Sequence, residues 1–434
     1  MNTKNLTGKL FLSLLLVSIL TVVGPFIASA KAEQKFENVK TRQVPAIRAK
    51  VYDQLARAQA FADEGKTVEA IEALDNVQGK LSSMNSYERA MLWNFYAFIY
   101  YQQEQYPQAV THFEKVIAES PIPEPFEMST LFSLAQLEMM QGHYDQTITY
   151  LDRWETLNKN EVPASNYYLK AQAMYQQKSF DKASDYINQA IAVIEKEDKV
   201  AEENWYVLQR AAYYELKQPE KVKDVLVKMV KYFNKPEYWT QLSGMYGELG
   251  QEKQQLAILE SAYQQGYVKS AGDINNLAQL YYYHGAPFKG AELLEKAMDN
   301  GVVEKNLRNM KFLAQSWTLA QEQDKAIPVL MAAAEMSDDG ELYAQLGQLY
   351  LNMEKWSEAI AETEKALEKG GLSNPGTAYL VLGMALYNQE DYVASMHNLG
   401  LAEKYDNSKH MAKQWKQYVL AEQTNASRLE SVGA

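Results

Sequence analysis

Large and small apolar residues recur in a fixed order along this 434-residue chain. The stretch from Leu342 to Gly370 shows this order within a 34-residue unit, in which positions are counted as offsets from residue 339. Apolar or small residues occupy offsets 4, 7, 8, 11, 20 and 27, and these are Tyr343, Leu346, Gly347, Tyr350, Ala359 and Ala366. Ten such blocks cover residues 51–405, and their offset-20 residues are 33 to 39 residues apart: Ala70, Ala109, Thr147, Ala183, Val222, Gln255, Gly290, Ala326, Ala359 and Ser395. A pattern with this period indicates an array of similar structural units.

A second block fits the numbering at seven offsets, with Trp93, Tyr96, Ala97, Tyr100, Ala109, Phe113 and Pro121. This pattern resembles the tetratricopeptide repeat, in which each unit is a pair of antiparallel helices. The resemblance implies an all-α fold, a right-handed α-solenoid of about ten tetratricopeptide-like helix pairs over residues 51–405.

Residue size at two offsets agrees with the packing of such pairs. Offset 8, where the two helices of a unit meet, holds a small residue in nine blocks and Arg210 in the fifth. Small side chains there let two helix axes approach toward the short end of the usual range of about 8–10 Å. Offset 11 holds a large apolar residue in nine blocks, as needed to fill the layer between units, and Glu138 in the third.

Residues 406–423, beyond the tenth block, have one apolar stripe and one polar face. The stripe recurs at helical spacing through Met411, Trp415, Tyr418 and Val419. It predicts a C-terminal capping helix that covers the last unit of the array, and a partner-binding amphipathic helix is the alternative. Residues 424–434 predict a short, disordered polar tail.

The first thirty residues have the three parts of a secretory signal: a basic start with Lys4 and Lys9, an apolar run from Leu10 to Val23, and small residues up to Ala30. The run is shorter than the roughly 20 residues of a spanning helix, which favours a signal peptide cleaved near Ala30 over a membrane anchor. The mature chain would then have no transmembrane segment, and in a two-membrane bacterium it would be periplasmic. Residues 31–50, with six basic and two acidic residues, predict a basic linker that is either solvated or touches anionic lipid headgroups.

Composition argues against several classes of function. The chain has no cysteine, which excludes disulfides, thiolate metal sites and cysteine nucleophiles. Its formal net charge of −12 is a poor match for nucleic acid, which needs a clustered basic face. The histidines are scattered, and no glycine-rich loop or nucleophile motif predicts a metal, a cofactor or a catalytic residue. Because the repeats fill nearly the whole mature chain, we expect a protein that is not an enzyme.

The resemblance assigns binding to a concave groove built from offsets 2, 5, 9, 12 and 13 of the first helices. Glutamine recurs at offset 9 and tyrosine at offset 12, and these can bond a peptide backbone and supply rigid contact area. The alternative is that glutamine is only a good helix former on an exposed face. The residues predicted to bind a peptide are Tyr101, Gln136, Gln172, Tyr175, Tyr214, Gln279, Tyr282, Tyr283, Arg308, Lys311, Gln315 and Gln348.

Arg308 and Lys311 lie at offsets 2 and 5 of one block, about one helical turn apart. We expect this pair to anchor an acidic side chain or a chain terminus. Some tetratricopeptide proteins grasp an acidic chaperone C-terminus with lysine at offset 5 and asparagine at offset 9. No block here has asparagine at offset 9, so that clamp is not implied.

A closer resemblance begins at Trp239, with WTQLSGMYGELGQ, LAQLYYYHGAPFKGAELLEKAMDNG, LYAQLGQLY and GLSNPGTAYLVLG. These phrases are similar to exported tetratricopeptide proteins of gamma-proteobacteria that accompany TonB-type energy-transduction systems. The resemblance implies a periplasmic interaction scaffold that binds a peptide or protein and assists TonB-dependent transport. Two alternatives stay open: a cell-wall (peptidoglycan) enzyme or enzyme regulator with groove carboxylates as acid and base, and a structural spacer with an empty groove.

Overall fold

The computed structural model describes residues 42–432, and the side chains of residues 42–424. The predicted signal peptide, its cleavage near Ala30, and residues 31–41 of the predicted linker lie outside the described residues. Within the described range all regular structure is helical, apart from turns and extended connections. The predicted all-α class is therefore confirmed.

Across residues 42–432, twenty-one α-helices follow one another as ten pairs and a final helix, with a short 3-10 turn at Leu81–Ser83. The helices of residues 42–432 are α1 Ala49–Asp63, α2 Thr67–Gln78, α3 Ser86–Gln102, α4 Tyr106–Ala118, α5 Glu124–Gln141, α6 Tyr144–Leu157, α7 Ala164–Gln176, α8 Phe180–Glu195, α9 Glu203–Glu215, α10 Pro219–Phe233, α11 Pro236–Glu248, α12 Glu252–Gln264, α13 Ala271–Tyr283, α14 Pro287–Asp299, α15 Leu307–Leu319, α16 Gln323–Met336, α17 Glu341–Asn352, α18 Trp356–Lys369, α19 Pro375–Asn388, α20 Tyr392–Ala402 and α21 Asp406–Val432. This order confirms the solenoid of about ten helix pairs with a terminal helix.

The chain divides into two compact units, Met1–Leu134 and Ala135–Ala434. The sequence pattern had predicted one array over residues 51–405. In the N-terminal unit the core includes Leu55, Leu74, Leu92 and Ile99. In the C-terminal unit the largest cluster of buried apolar residues runs from Leu259 to Ala385 and contains the fully buried Trp317.

Each pair turns through two or three residues, one of which has a positive φ. In four turns that residue is glycine, as at Gly285 with φ 79°, and in six it is another residue, such as Lys217 with φ 54°. The left-handed conformation ends the first helix and directs the chain back along it, so that the two helices lie side by side.

The small residues at offset 8 are buried where the two helices of a pair meet. Ala58, Ala97, Ala171 and Ala278 are completely inaccessible to solvent. Large apolar residues at offset 11 also pack into the core, and Met174, Tyr213, Tyr281, Trp317 and Tyr350 are buried. The alternation of small and large residues is therefore a packing pattern.

The two exceptions in this pattern are polar residues with partners. Glu138 is buried at offset 11, and its Oε2 lies 2.6 Å from Nδ1 of His143. Arg210, at offset 8, is half-buried and donates a hydrogen bond to the side-chain oxygen of Gln241. Both side chains replace the missing apolar contact with a polar one.

The final helix differs from its prediction in two ways. Its buried positions are Ser408, Ala412 and Val419, with Trp415 partly buried, whereas Met411 and Tyr418 are about half exposed. The small Ala412 fits closely against the preceding helices, and the Ser408 hydroxyl donates to the Ala402 carbonyl at 2.6 Å, which sets the orientation of the helix. The helix also runs on to Val432, where a disordered polar tail from residue 424 was predicted, because helix-breaking residues are absent until Gly433.

The described part of the predicted basic linker is docked onto the N-terminal unit. Arg42 forms an ion pair with Glu127, and Arg48 forms one with Glu88, both at 2.6 Å. Residues 49 and 50 already belong to α1. Two arginines of residues 42–50 therefore bind acidic partners within the same chain, and the solvated or lipid-contacting character of the linker stays a prediction.

Candidate functional site

The strongest candidate site lies between α13 and α15, the first helices of the seventh and eighth pairs. Each begins at a residue whose side chain caps it. The Ser270 hydroxyl accepts from the Asp273 backbone N–H at 3.1 Å, and the Asn306 side chain accepts from that of Asn309 at 3.0 Å. These caps satisfy N–H groups that a helix end leaves unpaired and so define where each helix starts.

An open cavity of about 580 Å³ separates these two helices. Its lining residues are Gln279, Leu307, Arg308, Lys311, Phe312 and Gln315. Four of the twelve residues predicted from the sequence to bind a peptide therefore line one cavity. Their part in binding stays a prediction.

Two cations dominate the electrostatics of this cavity. Arg308 is exposed, Lys311 is half-buried, and they are on the same face of α15. Among the residues that the structure describes, neither has a carboxylate within ion-pair distance. The nearby Lys305, by contrast, is paired with Asp299 at 2.8 Å. Two unneutralised cations on an acidic protein form a local site for an anion.

Three aromatic rings form a wall that reaches the cavity through one of them, since Phe312 lines the cavity and Tyr282 and Tyr283 continue the row of rings. The Tyr282 ring lies 5.5 Å from that of Phe312 and 5.3 Å from that of Tyr283. Tyr283 is 76% exposed, an unusual position for an aromatic side chain. Exposed rings with fixed neighbours provide contact area at little cost in conformational entropy.

Tyr281 is directed away from this wall, into the core. Burial and a hydrogen bond to Glu260 raise the pKa of its hydroxyl, and Lys289 lies 5.5 Å from the ring centre. It therefore remains a neutral packing residue. The three consecutive tyrosines thus divide into one core residue and two residues outside the core, of which Tyr282 contacts the cavity-lining Phe312.

The remaining predicted groove residues are distributed over other helices. Tyr214, on α9, is 68% exposed. Tyr175 packs against Phe180 at 5.3 Å, and burial raises the pKa of its hydroxyl. Gln348 donates to Asn352 of the same helix at 2.9 Å. The remaining three are partly buried: Tyr101, Gln136 and Gln172.

Sequence reasoning missed Leu307 and Phe312, which complete the lining of the cavity. Leu307 and Phe312 are at offsets 1 and 6, which do not belong to the groove offsets 2, 5, 9, 12 and 13, so the offset pattern does not select them. The one available signal was that Phe312 directly follows Lys311.

The described residues show neither a metal centre nor a membrane span. Across residues 42–432, no three histidine, aspartate or glutamate side chains are grouped so that they could hold a metal ion. No helix in that range combines the length and the apolar character needed to cross a membrane. The side chains that line the α13–α15 cavity can make ionic, amide and aromatic contacts.

Comparisons with known proteins agree with the helix pairs. Residues 102–190 match the family model for subunit 3 of the anaphase-promoting complex, or cyclosome, and residues 345–407 match a tetratricopeptide repeat model. No curated protein sequence shows a significant match.

Several solved structures are similar at low identity. A tetratricopeptide repeat protein from Parabacteroides merdae is 16% identical, over 59% of this chain and 98% of its own, with a TM-score of 0.29. YrrB, a TPR protein with an unusual peptide-binding site, is 16% identical, over 44% and 97%, with a TM-score of 0.36. MamA from Desulfovibrio magneticus is 16% identical, over 41% and 94%, with a TM-score of 0.33.

The succession of helix pairs and the two family-model matches have the same interpretation. Tetratricopeptide repeats are built of helical hairpins, and the helices of residues 42–432 follow one another as such pairs. The chain therefore contains tetratricopeptide repeats, which the family model places at residues 345–407.

Proposed function

We propose that the protein is a non-enzymatic scaffold that binds an extended, acidic segment of a partner protein in the cavity between α13 and α15. The observation that carries this proposal is the pair of unpaired cations, Arg308 and Lys311, in a cavity that also presents two glutamine amides. A carboxylate of the ligand would pair with the cations, in charge-assisted hydrogen bonds. Gln279 and Gln315 would bond its backbone.

The aromatic wall gives the ligand a second feature. An apolar or proline side chain next to the acidic residue would pack on Phe312, which lines the cavity, and on Tyr282, whose ring lies 5.5 Å from that of Phe312. Alternating ionic and apolar contacts fix both the position and the direction of an extended peptide. The expected ligand is therefore an acidic segment with an apolar neighbour, and not a uniformly acidic chain.

We further propose that the protein works in the periplasm as an accessory of TonB-dependent transport. Support comes from the signal-like residues 1–30 and from the phrases after Trp239 that resemble exported proteins of such systems. Fractionation of cells that express the full chain would test the location, and crosslinking followed by identification of TonB-type components would test the partner. Recovery in the cytoplasmic fraction alone would contradict this part of the proposal without affecting the cavity.

The binding proposal is tested by fluorescence anisotropy with a labelled octapeptide that contains two glutamates and a proline. Arg308→Ala/Lys311→Ala should weaken binding about tenfold to a hundredfold, the expected effect of losing charge-assisted hydrogen bonds. The matched control is Lys253→Ala/Lys269→Ala, which removes the same charge from exposed positions outside the cavity. Equal affinities for the two double variants would refute the proposal.

The same purified proteins address the enzymatic alternative. Incubation with peptidoglycan should release no soluble fragments, because the cavity offers cations and amides in place of a pair of carboxylates. If the unmodified protein and every folded variant released peptidoglycan fragments, the result would favour the cell-wall enzyme over the scaffold.

A further inference from the structure

The N-terminal strap, residues 42–48, is an extended segment held by the N-terminal unit. Its last residue makes the most contacts. The Arg48 guanidinium donates to both oxygens of Glu88, from Nε at 2.7 Å and from Nη2 at 2.6 Å, and the Arg48 backbone N–H donates to the same carboxylate at 3.0 Å. Arg48 Nη2 also donates to the Ser83 carbonyl at 2.6 Å.

The other end and the middle of the strap have their own partners. Arg42 Nη1 donates to Glu127 Oε2 at 2.6 Å and to the Ile122 carbonyl at 3.0 Å. Between the two arginines, the Asn85 amide donates to the Ala46 carbonyl at 2.9 Å. Two arginines and the backbone between them are thus recognised by separate groups, as in the recognition of an extended peptide.

The acceptor side is prepared independently of the strap. Asn85 and Glu88 form a capping box at the start of α3, in which the Asn85 side chain accepts from the Glu88 backbone N–H at 2.9 Å and the Glu88 carboxylate accepts from that of Asn85 at 3.0 Å. This box fixes the Glu88 side chain at the helix start. Glu88 has no solvent exposure beneath the strap, so it is a preformed and buried carboxylate.

The strap itself adds nothing to the core. None of residues 42–48 is buried, and the Arg48 side chain is 55% exposed even while it is bound to Glu88. The core of this unit begins with Leu55, in α1. A segment that is anchored by its arginines and otherwise lies on the surface has the properties of a ligand tethered to its site.

We propose that Asn85, Glu88 and Glu127 form a second peptide site, specific for an extended segment with two arginines, which the strap occupies in cis. Such a site takes ligands of the opposite charge to those expected at the α13–α15 cavity. While the strap is bound, its high effective concentration excludes a free peptide. A partner with a stronger arginine-bearing segment would gain the site by displacing the strap.

The experiment uses the full chain and a fluorescein-labelled peptide with the sequence of residues 42–50, RQVPAIRAK. Arg42→Ala/Arg48→Ala should bind this peptide at least tenfold more tightly than the unmodified protein, because its own strap no longer competes. The same peptide with both arginines replaced by alanine should not bind. The matched control is Lys50→Ala, which removes a nearby exposed charge and should leave the site closed.

A second variant covers the chance that loss of Arg48 prevents folding, since it leaves Glu88 buried and unpaired. Arg42→Ala/Arg48→Lys keeps a cation beside Glu88 but loses the two-pronged guanidinium contact, and so weakens the strap while preserving the charge. Circular dichroism identifies which variants fold. The proposal is overturned if a folded variant binds the peptide no more tightly than the unmodified protein, or binds the arginine-free peptide equally well.

Discussion

Gly290 packs directly against the backbone of Ala278, since a Cβ added at Gly290 would lie 2.7 Å from the Ala278 carbonyl oxygen and 3.3 Å from Cβ of Tyr281. This contact joins α13, which carries one side of the candidate cavity, to its partner helix α14. The close approach depends on the absence of a side chain. It therefore gives a direct test of the packing rule on which the whole array rests.

Gly290→Ala should lower the free energy of unfolding by about 1–3 kcal/mol, because the backbone of α13 cannot move aside without loss of packing. Gly244→Ala is the control, since Gly244 is an exposed position inside α11 with open space around its Cα. There alanine should stabilise by about 0.5–1 kcal/mol through its higher helix propensity. Urea unfolding of both variants checks the prediction, and a stabilised Gly290→Ala would contradict the proposed close contact.

The repeat fold could be predicted because its packing contacts are local. Ala278 and Gly290 belong to one hairpin, and their sizes recur in the other units. The Arg48–Glu88 pair could not be predicted, because the contact spans 40 positions and each residue alone is typical of a solvated surface. Periodicity identifies which face of a helix is buried, but it does not identify the partner of a charged side chain.

The candidate cavity was predictable only in part, for a related reason. Gln279 and Gln315 repeat at one offset and could be selected from the sequence, as could Arg308 and Lys311. Phe312 is at offset 6, outside the groove offsets, yet it also lines the cavity. The apolar stripe of α21 was likewise predictable only in part. Both Met411 and Ala412 fit helical spacing, and the close packing of the smaller Ala412 makes it the buried residue of the two.

The Arg48–Glu88 pair should make the free energy of unfolding depend on pH in the acid range. The hydrogen bonds from Arg48 to the Glu88 carboxylate lower the pKa of that group to about 2. Because this folded-state pKa lies below the ordinary value of 4.5, the ionised carboxylate stabilises the fold above pH 4.5, and the contribution disappears as the pH falls from 4.5 toward 2. Glu88→Gln should cost about 1–3 kcal/mol at neutral pH and remove this part of the pH dependence.

The measurement for Glu88 is urea unfolding of the full chain, followed by circular dichroism, between pH 7 and the acid limit of folding. Glu64→Gln is the matched control, because Glu64 is exposed and its partner Lys66 is also at the surface. An unchanged acid transition in Glu88→Gln would show that the Arg48 pair does not stabilise the unit.

His112 should produce a second pH dependence, in a higher range. Its ring stacks on Tyr96 at 4.9 Å and on Tyr100 at 5.3 Å. Burial, with a smaller effect of Lys115, lowers the pKa of His112 from 6.5 to about 4. The unfolded chain therefore takes up the proton first, so stability that is present above pH 6.5 declines as the pH falls toward 4 and then levels off.

His112→Phe should remove the decline between pH 6.5 and about 4 while keeping an aromatic ring in the stack. His410→Gln, at an exposed position of α21, is the control. Thermal unfolding of both variants across this range checks the prediction. The same slope in His112→Phe and the unmodified protein would assign the decline to other groups.

Tyr282 and Tyr214 occupy the same offset, but the structure predicts different roles for them in binding the acidic octapeptide. Tyr282 contacts Phe312, which lines the cavity. Tyr214 is 68% exposed on α9 and stacks on no ring among the described residues. Tyr282→Ala should therefore weaken binding about tenfold, through loss of an aromatic contact and its buried area, whereas Tyr214→Ala should change it less than twofold. Anisotropy titrations compare the affinities of the two variants. An equal loss of affinity in both would mean that the ligand follows the whole row of tyrosines, with the α13–α15 cavity as only one of its contacts.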